Sequence, residues 1–136
     1  MFIWPHGIAV DQEGNVWVTE AVRERHIPEG DDRGHRIIKF SSQGEVLVTL
    51  GKPGIAGNGD YEFSSPSDIV VTDDGTIFVA DGHWQDGNNR VLKYSADGKF
   101  IKSWGKTGYG PGEFRGLHAL GMDMRGRIFV ADRANN

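Results

Sequence analysis

The sequence contains no cysteine, no concentration of basic residues and no long hydrophobic run. Without cysteine, neither a disulfide framework nor a thiolate metal site can form. The net charge of −4 and the lack of a Lys- or Arg-rich stretch argue against a nucleic-acid partner. No apolar stretch approaches a membrane span, and residues 1–6 lack the basic start and long apolar stretch of a signal peptide. The sequence therefore predicts a soluble chain without a membrane or nucleic-acid partner, and it leaves the compartment unknown.

Glycine, in contrast, is abundant: 20 of the 136 residues, in a chain that is 38% hydrophobic. This composition favours a folded core built from short strands and tight turns. One hairpin pattern occurs three times. In each copy an apolar run precedes a polar turn with glycine at a fixed position, and a second apolar run ends in an acid. The copies occupy residues 5–20, 66–81 and 117–132.

Two more strands follow each of the first two hairpins, in residues 35–51 and 89–105. A repeat of about 40 to 50 residues with four strands is typical of a β-propeller blade. The sequence therefore predicts an all-β fold with about two and a half four-stranded blades. We expect a single partial domain over residues 1–136, with blade one at 5–51, blade two at 66–105 and a half blade at 117–136.

Two and a half blades are too few to close a ring, because closed propellers need roughly four to eight. We therefore expect the chain either to be part of a longer protein or to complete a propeller as a homo-oligomer. Two chains would supply twenty strands, enough for five blades. An open stack would leave apolar blade faces uncovered at both ends, which favours association.

Three short segments resemble the NHL-repeat family: residues 108–114 before the third hairpin, Ile-Phe-Val-Ala-Asp at 77–81, and Asn-Arg-Val at 89–91. The resemblance extends over nearly the whole chain and implies an NHL-type propeller, such as a partial six-bladed ring. It implies less about function, because propellers of this kind serve both as enzymes and as binding platforms.

The antiparallel strand order predicts that His6, Ser67 and His118 lie at one mouth of the channel, since each begins an inner strand. The acids that end the following strands, and Arg133, belong to the same mouth. Neutral imidazoles with an open coordination position are typical of catalytic zinc, although two of them need a third. The alternative is that each histidine only hydrogen-bonds a backbone group and holds its blade.

Residues 5–8, 117–120 and 130–135 resemble segments of the catalytic core of peptidyl-α-hydroxyglycine α-amidating lyases. Those enzymes are six-bladed propellers that split a C-terminal α-hydroxyglycine into a peptide amide and glyoxylate. The resemblance implies zinc on His6 and His118, with a third histidine on a later blade. It also implies an active-site role for Arg133, and a structural calcium held partly by the backbone carbonyl of Ile8.

The sequence departs from that family after the second hairpin, where the lyases have a tyrosine as candidate base. Here His83 and Trp84 stand in this place, followed by extra loop residues. His83 could act as the base, because its pKa lies nearer neutrality than that of tyrosine, or it could only line the mouth. Trp84 is the aromatic side chain best suited to stack on a ligand.

The leading hypothesis is part of a zinc-dependent, lyase-like propeller acting on peptidyl-α-hydroxyglycine or a similar small carbinolamide at the channel mouth. Zinc would polarise the substrate hydroxyl, and Arg133 would pair with the carboxylate. A second hypothesis is a non-catalytic NHL propeller that binds a protein or peptide. A third is a calcium-dependent lactonase, which normally uses acidic ligands, so the histidine pair argues against it.

Overall fold

The computed structural model describes residues 2–135, which form three antiparallel sheets. The first sheet contains β1 (Pro5–Val10), β2 (Val16–Glu20), β3 (Arg36–Phe40) and β4 (Val46–Gly51). The second contains β5 (Pro66–Val71), β6 (Ile77–Asp81), β7 (Arg90–Tyr94) and β8 (Phe100–Trp104). The third has only β9 (Leu117–Met122) and β10 (Ile128–Asp132). The predicted all-β propeller fold, with two full blades and one half blade, is confirmed.

Helix contributes almost nothing to this fold. A 3₁₀ turn at Glu24–His26 is the sole helix in residues 2–135, and no helix in that range has the length and apolar character needed to cross a membrane.

The inner hairpins turn where the glycine pattern predicts. In the first, Gly14 has φ of 80° and donates its N–H to the carbonyl of Asp11 at 2.9 Å. The Asp11 carboxylate accepts the N–H of Asn15 at 2.9 Å, which fixes the turn from its other side. Gly75 and Gly126 have φ of 80° and 73° in the equivalent turns. Only glycine adopts this left-handed conformation without steric cost, so the glycine spacing sets the hairpin register.

The blades stack face to face, with the inner strands β1, β5 and β9 side by side. Every residue of β6 is buried, because this strand has a blade on each face. The outer strand β4 is mostly exposed. Each fully buried Ile, Leu or Phe side chain stabilises the fold by about 1.5–3 kcal/mol relative to an exposed one. The core between the first two blades contains Trp17, Ile37, Phe63, Ile69, Ile77, Val79, Leu92 and Tyr94, and a smaller one beneath the half blade contains Ala80, Val91 and Leu117.

An acid closes each blade at the mouth where the first strand begins, and it is fully buried in the two complete blades. In the second blade, the Asp81 carboxylate accepts the N–H of Ser64 at 2.6 Å and the amide of Asn88 at 2.7 Å. Arg90 Nε donates to the same carboxylate at 3.0 Å. Asp81 is fully buried, so these partners supply the hydrogen bonds that water would otherwise provide.

The other two blades repeat this acid at the same spacing. Glu20 accepts the N–H of Ile3, and Asp132 accepts the N–H of Arg115 at 2.8 Å, in both cases 17 residues along the chain. Glu20 is also fully buried and pairs with Arg36 at 2.8 Å. The acids predicted to lie at the mouth therefore anchor the chain that enters each blade.

Candidate metal centre

Three histidines meet at the mouth of the inner strands: His6 from β1, His118 from β9 and His83 from the loop after β6. Their candidate ligand nitrogens all lie within 4.8 Å of one another. The ring centroids are 4.3 Å apart for His6 and His83, 4.8 Å for His6 and His118, and 5.1 Å for His83 and His118. Within residues 2–135 no other group of three or more His, Asp or Glu side chains is close enough to share a metal ion.

Close approach of β1 to β5 positions His6. A Cβ on Gly7 would lie 2.6 Å from the carbonyl oxygen of Ser67 and 2.7 Å from Cα of Asp68, so only glycine permits this packing. His6 Nδ1 lies 2.8 Å from the same Ser67 carbonyl. A carbonyl only accepts, so Nδ1 carries the proton and Nε2 of the neutral ring keeps its lone pair. Thr19 Oγ1 donates to this carbonyl as well, at 3.0 Å.

Ser67, which occupies the position of His6 and His118 in the second blade, joins neighbouring inner strands. Its hydroxyl donates to the carbonyl of Leu117 at 2.6 Å. The Asp68 carboxylate accepts the N–H of Leu120 at 2.8 Å, which adds a second link between β5 and β9. These bonds hold β9, and with it His118, against the second blade. Burial, followed by the proximity of His6 and Arg133, lowers the pKa of His118.

The backbone of the loop after β6 brings His83 to the cluster. The N–H groups of Gly82 and His83 both donate to the carbonyl of Ser65, at 3.3 and 3.0 Å, and Gly82 has φ of 131°. The His83 side chain is buried, and its Nδ1 has no hydrogen-bond partner. Burial, His6 and Arg133 lower the pKa of His83 to about 3. The ring is therefore neutral near pH 7, the form that binds metals.

Arg133 lies next to the cluster, where the sequence predicted an active-site role. Its Nη2 donates to the carbonyl of His83 at 3.1 Å, and its Cζ lies 5.6 Å from the ring centre of Trp84. Arg23 stacks on the same ring at 4.2 Å. The rings of Trp84 and His83 are perpendicular to each other, with centroids 4.3 Å apart.

Both arginines and Trp84 line a cavity of about 480 Å³, together with Gln85 and Asp86. Guanidinium groups bind carboxylates strongly, so this cavity provides a candidate anion site beside the histidines. Sequence reasoning identified Arg133 and Trp84 but missed Arg23. Arg23 lies in the polar loop after β2, which is longer than the equivalent loop after β6 and unlike it in sequence, so the repeat gave no signal for it.

The predicted calcium position has no carboxylate cluster around it. Ile8 lies in β1, two residues after His6, and its side chain is 69% exposed. No group of carboxylates in the described part of the chain is compact enough to hold a metal. Calcium at the Ile8 carbonyl stays a prediction.

The three imidazoles fit a zinc ion. In tetrahedral coordination, nitrogens about 2.0–2.1 Å from zinc lie roughly 3.3 Å from each other. The observed separations are all within 4.8 Å, so each pair of nitrogens would have to approach by about 1.5 Å or less to reach this spacing. Three nitrogen ligands would leave a fourth position open for substrate, as in catalytic zinc sites. The Ser67 carbonyl already orients His6 for this purpose.

Comparison with known proteins identifies the fold family. A family model described as a 6-bladed beta-propeller matches residues 55–136, and an NHL repeat model matches residues 2–26. The chain belongs to the six-bladed β-propeller family. The predicted resemblance to NHL-repeat propellers is confirmed.

Relatives of this propeller include both a repeat protein and a lyase. It is 36% identical over 138 residues to NHL repeat-containing protein 3 of Homo sapiens, covering 96% of this chain and 37% of that protein. It is 37% identical over 109 residues to peptidyl-alpha-hydroxyglycine alpha-amidating lyase 1 of Drosophila melanogaster, covering 78% of this chain and 17% of that protein. The propeller is therefore related to amidating lyases, and it spans well under half of either relative.

A solved structure supports the fold alone. Virginiamycin B lyase from Staphylococcus aureus superposes with a TM-score of 0.61 at 16% identity, covering 98% of this propeller chain and 36% of that enzyme.

Proposed function

We propose that this chain forms part of a zinc-dependent, lyase-like propeller that acts on peptidyl-α-hydroxyglycine or a similar small carbinolamide. The proposal rests on the convergence of His6 and His118, which come from different blades and have ring centroids 4.8 Å apart. Relationship to amidating lyases supports the reaction class. His6 would bind zinc through Nε2, and His118 would be the second ligand.

The side chains around the pair match the needs of such a substrate. Zinc, when bound, would polarise the substrate hydroxyl and lower its pKa. Arg133 would pair with the substrate carboxylate, and the Trp84 ring would cover one wall of the binding cavity. Breaking the carbon–nitrogen bond also requires a group that accepts the hydroxyl proton. His83 touches both proposed ligands, which gives it two candidate roles, as that base or as a further ligand.

The test is release of glyoxylate from a peptidyl-α-hydroxyglycine substrate by the purified chain, with its mass in solution measured in the same sample. We expect release to require added zinc and to fall by roughly 100-fold or more in His118→Ala. Replacement of Arg133 by Ala should mainly raise KM, because it removes a carboxylate contact. A zinc-loaded protein that releases no glyoxylate would contradict the proposed reaction.

A second candidate function is binding of a peptide or protein without catalysis. It is supported by the 36% identity to NHL repeat-containing protein 3 over 96% of this chain. The cavity of about 480 Å³ with two arginines would then hold a peptide carboxylate. Saturable binding of a peptide amide precursor without turnover, unaffected by zinc removal, would favour this function over the lyase.

We also keep calcium at the Ile8 carbonyl and self-association as proposals. The open ends of the stack expose apolar side chains, including Val10 at 63% and Phe129 at 54%. Surfaces of this kind favour covering by another blade. Light scattering of the purified chain at several concentrations tests association, and calcium titration of the same samples tests the metal.

A further inference from the structure

We infer that His83 is the third zinc ligand rather than the base, so that this chain alone contains a complete three-histidine centre. The inference rests on the proposed zinc site at His6 and His118. It replaces the expectation, drawn from the lyase resemblance, that a third histidine comes from a later blade.

The spacing of the rings leaves no room for a base at His83. A base must accept a proton from a substrate oxygen at about 2.6–3.2 Å, with that oxygen between it and the metal. The His83 ring lies 4.3 Å from His6, closer than His118 does at 4.8 Å. Rings this close leave no space for a substrate oxygen between them, whereas two ligands of one ion need none. The candidate ligand nitrogen of His83 also lies within 4.8 Å of those of His6 and His118, as expected for a third ligand.

The hydrogen bonding of His83 also indicates a ligand. Its Nδ1 is buried and has no hydrogen-bond partner. A buried polar atom without a hydrogen-bond partner lowers stability, so native structures usually give such an atom a partner. In His6 the corresponding Nδ1 is occupied by the Ser67 carbonyl. A metal bond at the cluster gives the His83 ring the partner that the protein does not supply.

Both ends of the His83 residue are fixed, as a ligand requires. Its N–H donates to Ser65 at 3.0 Å, and its carbonyl accepts from Arg133 at 3.1 Å. The Trp84 ring packs perpendicular to the imidazole.

This ligand set places the metal near one wall of the channel. The three ligands come from three consecutive blades, since β1, β5 and β9 are neighbours. The ion would therefore sit to one side of the channel. The opposite side of the ring would not be needed to bind it.

The experiment measures metal binding directly, in the purified chain. Zinc affinity is measured by calorimetry, and cobalt binding by visible absorption, for the unaltered protein and for His6→Ala, His83→Ala and His118→Ala. His26→Ala, which removes an exposed loop histidine, is the matched control. We expect one metal per chain, and a loss of about 100-fold or more in zinc affinity for each cluster variant but none for the control. The cobalt bands of a four-coordinate site should weaken in His83→Ala and return on addition of free imidazole.

A second variant keeps the test conclusive if His83→Ala misfolds. His83→Tyr places at this position the residue type that the related lyases are expected to use as a base, and circular dichroism reports whether it folds. If His83 is a ligand, folded His83→Tyr also loses zinc. If His83→Ala and His83→Tyr bind zinc like the unaltered protein, whereas His6→Ala and His118→Ala do not, the inference is overturned and the proposed function stands. If none of the cluster variants changes metal binding, both are wrong.

Discussion

The first and second blades are alike in their strands and differ at the channel mouth. In both, an arginine at the start of the third strand pairs with a buried acid: Arg36 with Glu20 and Arg90 with Asp81. At the mouth, however, the first blade has His6 where the second has a serine. The positions that hold a blade together are repeated, whereas those that face the channel are free to differ and can carry chemistry.

The residue before each of these arginines shows how far a repeat can vary. His35 and Asn89 both have left-handed backbones, with φ of 53° and 51°. His35 Nδ1 accepts the N–H of Ser65 at 3.0 Å, and Asn89 Oδ1 accepts the N–H of Gly116 at 2.6 Å. Two different side chains therefore perform the same task of tying one blade to the connection that enters the next.

The donor nitrogens of these two side chains, in contrast, have different surroundings. The Asn89 amide donates to the carbonyls of Gln85 and Gly87 and to Thr107 Oγ1. His35 Nε2 is buried and has no partner. Both blades therefore need a side-chain acceptor, His35 Nδ1 or Asn89 Oδ1, that faces the next blade. The hydrogen bonds made by the donor nitrogens differ from one loop to the other.

The largest expected loss of stability comes from removing the buried carboxylate of the second blade. Asp81→Ala removes the carboxylate partner of Arg90, which then keeps only its bonds to backbone carbonyls in residues 58–62, and it leaves the Ser64 N–H unsatisfied. The expected cost is about 3–5 kcal/mol of unfolding free energy. The matched change Asp132→Ala, in the half-buried half blade, should cost only about 1 kcal/mol. Urea denaturation measures both, and equal losses would contradict the role of burial.

Zinc should add stability by linking the first blade to the third. At a free concentration of 100 times Kd it should raise the unfolding free energy by about 2.7 kcal/mol, reversibly on chelation. His6→Ser gives the first blade the residue type of the second and should abolish this gain. Thermal melts with zinc and with EDTA measure the difference. An undiminished zinc effect in His6→Ser would rule out this link.

Gly7→Ala tests the close approach of the first blade to the second. The new Cβ would lie 2.6 Å from the Ser67 carbonyl oxygen, so β1 must move away at a cost of about 1–3 kcal/mol. The shift should also weaken zinc binding, because it displaces His6. Gly121→Ala, whose Cβ meets nothing within 4 Å, is the control and should leave both quantities nearly unchanged.

The smallest effect concerns pH and the difference between His35 and Asn89. Burial lowers the pKa of His35 below its ordinary value of 6.5, against the opposing effect of Glu24 and Glu20. The folded state thus takes up this proton less readily than the unfolded state, and the stability contribution present above pH 6.5 is lost as the pH falls. His35→Asn should reduce the pH dependence of stability below pH 6.5 in metal-free protein, measured by urea denaturation. An unchanged slope would show that His35 does not contribute.

Much of the fold could be predicted from the sequence because the same hairpin pattern occurs three times. The fixed glycines predicted the hairpins, and the apolar runs predicted the strands that the structure contains. Antiparallel order then placed His6 and His118 at one mouth, where their rings do meet. Their role in binding zinc stays a prediction.

The place of His83 within the cluster could not be predicted in the same way. Its position depends on hydrogen bonds to the Ser65 carbonyl and on the left-handed backbone of Gly82, in a loop that differs in length and sequence from the equivalent loop of the first blade. The stacking of Arg23 on Trp84 likewise joins two loops that are far apart in sequence. Such contacts follow from how blades pack, which periodicity does not describe.

Diffraction from zinc-soaked crystals of the chain, with data on both sides of the zinc absorption edge, would locate the ion directly. We expect one strong anomalous peak at about 2.1 Å from a nitrogen of each of His6, His83 and His118. A peak within bonding distance of His6 and His118 but not of His83, or a peak away from all three rings, would contradict a three-histidine zinc centre.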